Sequence, residues 1–287
     1  MSPGSRHVSG ELVRAYGSAH TEAEIEIVAH SLHGRGLLHE VEQLAPSFRA
    51  VLICGETGTG KTVLAKHLHE RAALRSRTDE PRVASLPIRA AEPVVATPTL
   101  RVINCAALSD ALLADLLWQL DNEAARADAD SASRTILLDE VGELSPWGQA
   151  VLLRKLQTEP LGSSARFIAA THRDLDVMAA RGTFSRELLF RLCMARIVVA
   201  PLRARRDDVV PLALHFLRLA LRTTGTRFVP VDADMYQSLE RYDWPGNVRE
   251  LKNAMFNALA VNESGTLTEA DLPDAVRAAR ECSTRFR

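Results

Sequence analysis

The residues of this chain best suited to chemistry form a glycine-rich octet, Gly55-Glu56-Thr57-Gly58-Thr59-Gly60-Lys61-Thr62. It fits the phosphate-binding loop pattern G-x-x-x-x-G-K-[ST] and follows the apolar run Val51-Leu52-Ile53-Cys54, in the strand–loop–helix setting the pattern requires. Glycines permit the loop conformations in which successive backbone N–H groups point at phosphate oxygens. Lys61 would reach the β- and γ-phosphates of ATP, and the Thr62 hydroxyl would ligate Mg²⁺. The positive end of the helix starting near Lys61 adds to the same anion site.

A second pair of chemical groups lies further on. Thr135-Ile136-Leu137-Leu138 is an apolar strand that delivers Asp139 and Glu140 at its end. Asp139 can bind Mg²⁺, while Glu140 can orient and deprotonate an attacking water. Alone, such a strand end is a weak signal; downstream of a phosphate loop it becomes a strong one.

These groups need a scaffold. Apolar runs at residues 51–54, 100–103, 135–138, 166–170 and 197–199 read as five short strands alternating with helices. That alternation predicts an α/β fold, a parallel five-stranded sheet with flanking helices. Ligands in such sheets sit at the carboxyl ends of the strands. The octet, Asn104, Asp139-Glu140 and Thr171-His172 all follow strand ends, so they can converge. Ser109 is placed to cap a helix with Leu112, Leu113, Leu116, Leu117 and Leu120 as its stripe, and Trp118 reads as a core residue of that helix. Ser145-Pro146 is an N-cap with proline at the first helical position. A further helix runs from about Phe184 to Leu192. Beyond Arg206 the pattern is helical only, with stripes through Val209 to Ala220, through Met235 and Leu239, and through Val248, Leu251, Ala254 and Met255.

The remaining segments carry less. Thr21-Glu22-Ala23-Glu24 resembles a capping box opening a helix with Ile25, Val28, Ala29 and Leu32. Gly34-Arg35-Gly36 reads as a break, followed by a second helix that Pro46 stops. His30, His33 and His39 read as solvated helix histidines rather than a metal site. The proline- and arginine-rich stretch 75–99 reads as a surface insertion. The expected division is a mobile or helical segment over 1–36, a nucleotide domain over 37–205, a helical lid over 206–275 and a tail over 276–287.

Composition adds bounds. Of 287 residues, 46% are hydrophobic and 25% charged, with a net charge of −1, ordinary for a soluble globular chain. No global basic field argues for nucleic acid. Cys54, Cys105, Cys193 and Cys282 form no C-x-x-C pair. No run approaches the length of a membrane span. The chain reads as cytoplasmic, with no membrane partner.

Further blocks sharpen this reading. The octet, Asn104-Cys105-Ala106-Ala107-Leu108, Leu138-Asp139-Glu140-Val141-Gly142-Glu143-Leu144, Ala169-Ala170-Thr171-His172-Arg173-Asp174-Leu175 and Trp244-Pro245-Gly246-Asn247-Val248-Arg249-Glu250-Leu251 occur in this order. Together they resemble the central AAA+ domain of bacterial enhancer-binding proteins, which activate RNA polymerase carrying sigma-54. The resemblance implies an ATPase working as a ring, usually a hexamer. It implies that Asn104 switches Glu140 between active and resting orientations, that Thr171 and His172 form the first sensor, and that Arg249 is the second. Arg191 matches an arginine finger acting on the neighbouring subunit's nucleotide.

Three departures matter. His172 stands where the family usually has Asn. The second family arginine, six residues before Arg191, is replaced by Ser185, with Arg186 one place later. The Gly-Ala-Phe-Thr-Gly-Ala loop that contacts sigma-54 is missing from the 109–134 segment, where the alternative to a core role for Trp118, ranked below it, is a remnant of that loop. About a dozen residues follow Pro273, too few for the two packed helices of a DNA-reading module, so no autonomous specific DNA binding is expected. The leading expectation is therefore a ring ATPase that remodels or regulates a partner protein. The alternatives are a conventional sigma-54 activator with a diverged contact loop, or a weakly hydrolysing nucleotide-dependent regulatory subunit. A small-molecule kinase is more distant.

Overall fold

The computed structural model describes residues 27–78, 99–126, 134–158, 165–225 and 229–278. The capping box at Thr21–Glu24, most of the 75–99 insertion and the end of the tail lie outside the described residues. In chain order the elements are α1 (Leu32–Leu44), β1 (Ala50–Cys54), α2 (Lys61–Thr78), β2 (Thr99–Asn104), α3 (Asp110–Arg126), β3 (Arg134–Asp139), α4 (Pro146–Thr158), β4 (Ala165–Thr171), α5 (Leu175–Ala180), α6 (Arg186–Leu192), β5 (Ala195–Val198), α7 (Val209–Thr224), α8 (Ala233–Arg241) and α9 (Asn247–Val261).

The five strands form one parallel sheet in the order β2-β3-β4-β1-β5. Its central strands β1, β3 and β4 are buried on both faces, as helices covering each side require, while the edge strands β2 and β5 are partly exposed. Leu52, Ile136, Leu138, Phe167 and Ala169 face α3, α4 and α6. Val51, Ile53, Leu137, Ile168, Ala170 and Ile197 face α1 and α2. The period-two alternation along each strand thus feeds two separate apolar layers. Register then levels the strand ends: Asn104 pairs with Asp139, Asp139 with Ala170, and Cys54 with both Thr171 and Val198.

The helices α7, α8 and α9 enclose a third core around Trp244, Leu251, Met255, Leu212 and Met235. Trp244 is fully buried, its indole Nε1 donating to Leu239 O at 2.9 Å and its ring meeting Tyr242 edge-on. Tyr242 and the Gly246 N–H both donate to the Glu250 carboxylate, at 3.0 and 2.7 Å. The Trp-Pro-Gly-Asn turn is therefore folded against its own following helix.

Several expectations need correction. The helix does not break at Gly34-Arg35-Gly36; α1 passes through it, starting from the N-cap Ser31, whose hydroxyl accepts from Gly34 N at 2.9 Å. Gly34 serves close approach, because a Cβ there would lie 2.9 Å from Ala29 Cβ and 3.1 Å from Asp208 Oδ2. Val28 and Ala29 are not helical but lie in an irregular segment before α1. His33 is half-buried and anchored, its Nε2 accepting from Ala200 N at 3.0 Å. Trp118 is 66% exposed and is no core residue. Helix α3 turns Leu113 and Leu117 inward, and a residue one step beyond Leu117 sits about 100° round the helix. Leu112 is likewise exposed, so the inward stripe is narrower than expected. Helix α5 falls in a stretch where no helix was expected; its cap is Asp174, which accepts from Asp176 N and Val177 N.

Candidate functional site

The octet closes the gap between β1 and α2. Gly58 and Gly60 adopt φ of 81° and 104°, a left-handed region that other residues seldom enter. What holds the loop is the fate of its carbonyls. Glu56 O accepts from Thr59 Oγ1 at 2.8 Å. Thr57 O accepts from Asn247 Nδ2 at 3.1 Å, Gly58 O from Val248 N at 3.0 Å and from Arg249 N at 3.3 Å, and Thr59 O from Arg205 at 2.7 Å. Three successive carbonyls are thus bound by groups from the turn after β5 and from the start of α9. With its carbonyls held by these donors, the loop leaves N–H groups to form an anion-binding concavity.

Lys61 is buried, its Nζ donating to Gly55 O at 2.9 Å and Glu56 O at 3.2 Å and lying 3.8 Å from Glu140 Oε1. Burial pushes its pKa down, and the Glu140 and Asp139 charges oppose that shift. The Thr62 hydroxyl donates to Asp139 Oδ2 at 3.2 Å, placing two oxygen ligands of the type magnesium takes side by side. Glu140 has φ 55°, a left-handed conformation rare for a side-chain-bearing residue. Its Oε2 meets His172 Nδ1 at 2.7 Å and the His172 N–H at 3.3 Å. The strand end carrying His172 is pressed on the turn after Glu140: a Cβ on Gly142 would lie 2.8 Å from Thr171 Oγ1. Arg173 reinforces the contact through Glu143 at 2.8 Å and Gly142 O at 3.1 Å.

Lys61, Thr62, Asp139, Glu140 and His172 therefore form one cluster. Asn104 is level with it through its pairing with Asp139, but its Oδ1 accepts from Ala106 N at 3.0 Å, within its own turn. Thr171 Oγ1 accepts from Arg173 N at 3.0 Å. Arg249 places its backbone on the loop while its side chain is exposed. Arg191 and Arg186 lie apart on α6. Arg191 pairs with Glu187 at 3.8 Å, and Arg186 reaches Ala179 O at 3.5 Å. Beside Arg191, Phe190 and Met194 are 82% and 67% exposed.

Glu56 faces away from the cluster. Its carboxylate takes a two-pronged pair from Arg203, at 2.8 and 2.5 Å, and a hydrogen bond from Asn247 at 3.2 Å. The hydrogen bonds from Arg203 and Asn247 draw its pKa down to about 2. The residues that sequence reasoning missed are Asn247, Arg203, Arg205 and Asp208. Asn247 stands inside the Trp244–Leu251 block, so its signal was present but carried no assigned role. It is fully buried, with φ 54°, and its Oδ1 accepts from Leu202 N at 2.8 Å.

The Sigma-54 interaction domain profile matches residues 27–198, and the AAA+ ATPase lid domain profile matches residues 203–286. Over 276 residues the chain is 36% identical to the transcriptional regulatory protein ZraR of Salmonella typhimurium, covering 89% of this chain and 57% of that protein. It is 36% identical over 255 residues to the response regulator protein FleR of Pseudomonas aeruginosa, covering 83% of this chain and 50% of that one. The chain thus spans about half the length of these relatives. Among solved structures, NtrX from Brucella abortus in complex with ATP superposes with a TM-score of 0.67 at 24% identity, over 91% of this chain and 60% of that one. That likeness confirms the fold, a parallel sheet with flanking helices followed by a helical lid.

Proposed function

The chain belongs to the sigma-54 interaction domain family of AAA+ proteins, and on that premise we propose that it hydrolyses ATP to remodel or regulate a partner protein. The observation that carries this is the cluster at the strand ends, where Lys61, Thr62, Asp139 and Glu140 meet beside a loop whose carbonyls are tied back. Lys61 would exchange its bonds to Gly55 O and Glu56 O for phosphate oxygens. Glu140, left-handed and facing Lys61, would accept the proton of the attacking water. The oxygens of Thr62 and Asp139, 3.2 Å apart, suit Mg²⁺, which when bound would neutralise charge on the phosphoryl oxygens.

Arg191 has no contact with this cluster and sits on an exposed helix face beside Phe190 and Met194. It would serve as a finger for a neighbouring subunit's nucleotide, with Arg186 beside it, so the working form would be a ring, a hexamer by family resemblance. Such a finger, by analogy with other nucleotide hydrolases, contributes on the order of 10³–10⁵ in rate. Arg249, carried by α9 to the loop of its own subunit, would sense that subunit's nucleotide from the lid. The decisive experiment measures ATPase rate against protein concentration. A cooperative rise, abolished by Glu140→Gln, is expected; no turnover at any concentration sinks the proposal.

The match to the sigma-54 interaction domain favours sigma-54 RNA polymerase as the partner, although the usual contact loop is absent from the 109–134 segment. Stimulation of open-complex formation at a sigma-54 promoter is the check, and a chain that hydrolyses ATP without such stimulation works on another partner.

A further inference from the structure

Behind the phosphate loop lies a buried ion pair that the proposed chemistry does not use. Asp208 is fully buried, and Arg205 is 8% exposed. Arg205 donates to Thr59 O at 2.7 Å and lies 3.7 Å from Asp208 Oδ2, while its Nε is buried without a partner. Asp208 is satisfied from elsewhere. Its Oδ1 accepts the backbone N–H groups of His30 and Ser31, both at 2.6 Å, and its Oδ2 accepts the Ser31 hydroxyl at 2.8 Å. The donors come from the segment ahead of α1, which Ile27 and Val28 pin to two different cores.

A buried carboxylate requires donors, because an unpaired charge away from water is heavily penalised. While the segment supplies three, Arg205 can stay on Thr59 O. If they are withdrawn, the nearest remaining donor is Arg205, which must close on Asp208 and leave the carbonyl. Thr59 O would then be buried without a partner, and the loop would lose one of its three successive ties.

We propose that Arg205 and Asp208 are positioning residues of the phosphate loop, and that the segment at His30 and Ser31 regulates nucleotide affinity by deciding whether Arg205 serves Thr59 or Asp208. The inference rests on the nucleotide site of the proposed function and adds the route by which a change at the N-terminal side would reach it.

The test uses the full chain, with ADP as the probe so that no hydrolysis is needed. Ser31→Ala is expected to weaken ADP binding about ten-fold, equivalent to ~1.4 kcal/mol. In the nucleotide-free protein it should speed amide exchange across residues 55–60 by a similar factor. Adding Asp208→Asn to Ser31→Ala removes the competitor for Arg205 and should bring both readouts back to within about three-fold of the parent. A role confined to packing predicts instead that the two substitutions add. If Ser31→Ala does not fold, His30→Pro deletes one donor to Asp208 and is read in the same way. Should the parent fail to bind ADP, the proposed function falls, while the exchange measurement still decides this inference. Unchanged exchange in the folded Ser31→Ala or His30→Pro chain, or additive losses in the double variant, overturns it.

Discussion

Replacing Asn247 by Ala should remove the joint between the lid and the phosphate loop, and its cost can be built up from the contacts. The Leu202 N–H, now 2.8 Å from Asn247 Oδ1, would be left buried without an acceptor, at about 1–3 kcal/mol. Loss of the bond to Thr57 O at 3.1 Å adds about 1 kcal/mol. The bond to the exposed Glu56 carboxylate adds little. Alanine at φ 54° gives up the tolerance of Asn for left-handed backbone, roughly another 1 kcal/mol. The sum, about 3–5 kcal/mol, is a large part of a typical domain stability of ~5–15 kcal/mol. Urea unfolding followed by tryptophan fluorescence would read it, since Trp244 is buried in the lid core. Asn247→Asp tests the same joint from the other side: it keeps an acceptor for Leu202 but loses the donor to Thr57 O and buries a carboxylate against Glu56. It should therefore unfold no later than Asn247→Ala and bind nucleotide poorly. A loss below ~0.5 kcal/mol for Asn247→Ala, the range of an unremarkable surface change, would refute the joint.

Other outcomes are equally open to measurement. Glu56 has its folded pKa drawn down to about 2 by Arg203 and Asn247, so its contribution is present above the unfolded value near 4.3 and is lost as pH falls through about 2. Unfolding midpoints from pH 5 to 2 should show an acid-dependent component that Glu56→Gln removes and that salt weakens, because the pair is solvent-exposed. Cys105 is pushed up to about 12, mainly by burial and further by the Asp139 and Glu140 charges. A thiol reagent at pH 8 should therefore label it only on the timescale of unfolding. Trp118→Ala should change stability by less than ~0.5 kcal/mol, as its 66% exposure requires; an unfolding curve shifted further would contradict the position assigned to α3. Leu137→Ala, at a fully buried position of β3, should by contrast cost ~2–5 kcal/mol in the same assay.

Much of the fold was legible because the strands are short apolar runs that end in polar residues, and register makes those ends coincide. The octet and Asp139-Glu140 could be read for the same reason: their chemistry is local in sequence. Three features escaped for different physical reasons. Gly34 and Gly36 look like a break, but Ser31 caps the helix and Asp208, remote in sequence, occupies the space beside Gly34. Trp118 looks like core by its type, yet helix geometry turns it outward from Leu117. Asn247, Arg203 and Arg205 are ordinary polar residues in sequence. Their roles arise only when the lid is laid against the phosphate loop. That His172 would come near Glu140 was legible from the two strand ends, but the direct bond between them was not, since it depends on the register of neighbouring strands.

The carbonyl ties at Thr57, Gly58 and Thr59 also carry an obligation in the opposite direction. If lid contacts raise the loop's affinity for a nucleotide by some factor, the bound nucleotide must tighten the lid's hold on the loop by that same factor. The helical domain is then a load that nucleotide binding itself locks in place, and its release on product departure would be a working stroke available without any new contact. Gly58 is where that stroke would be felt most sharply, because a single methyl group there would lie 2.4 Å from Gly246 O and hold the two bodies apart.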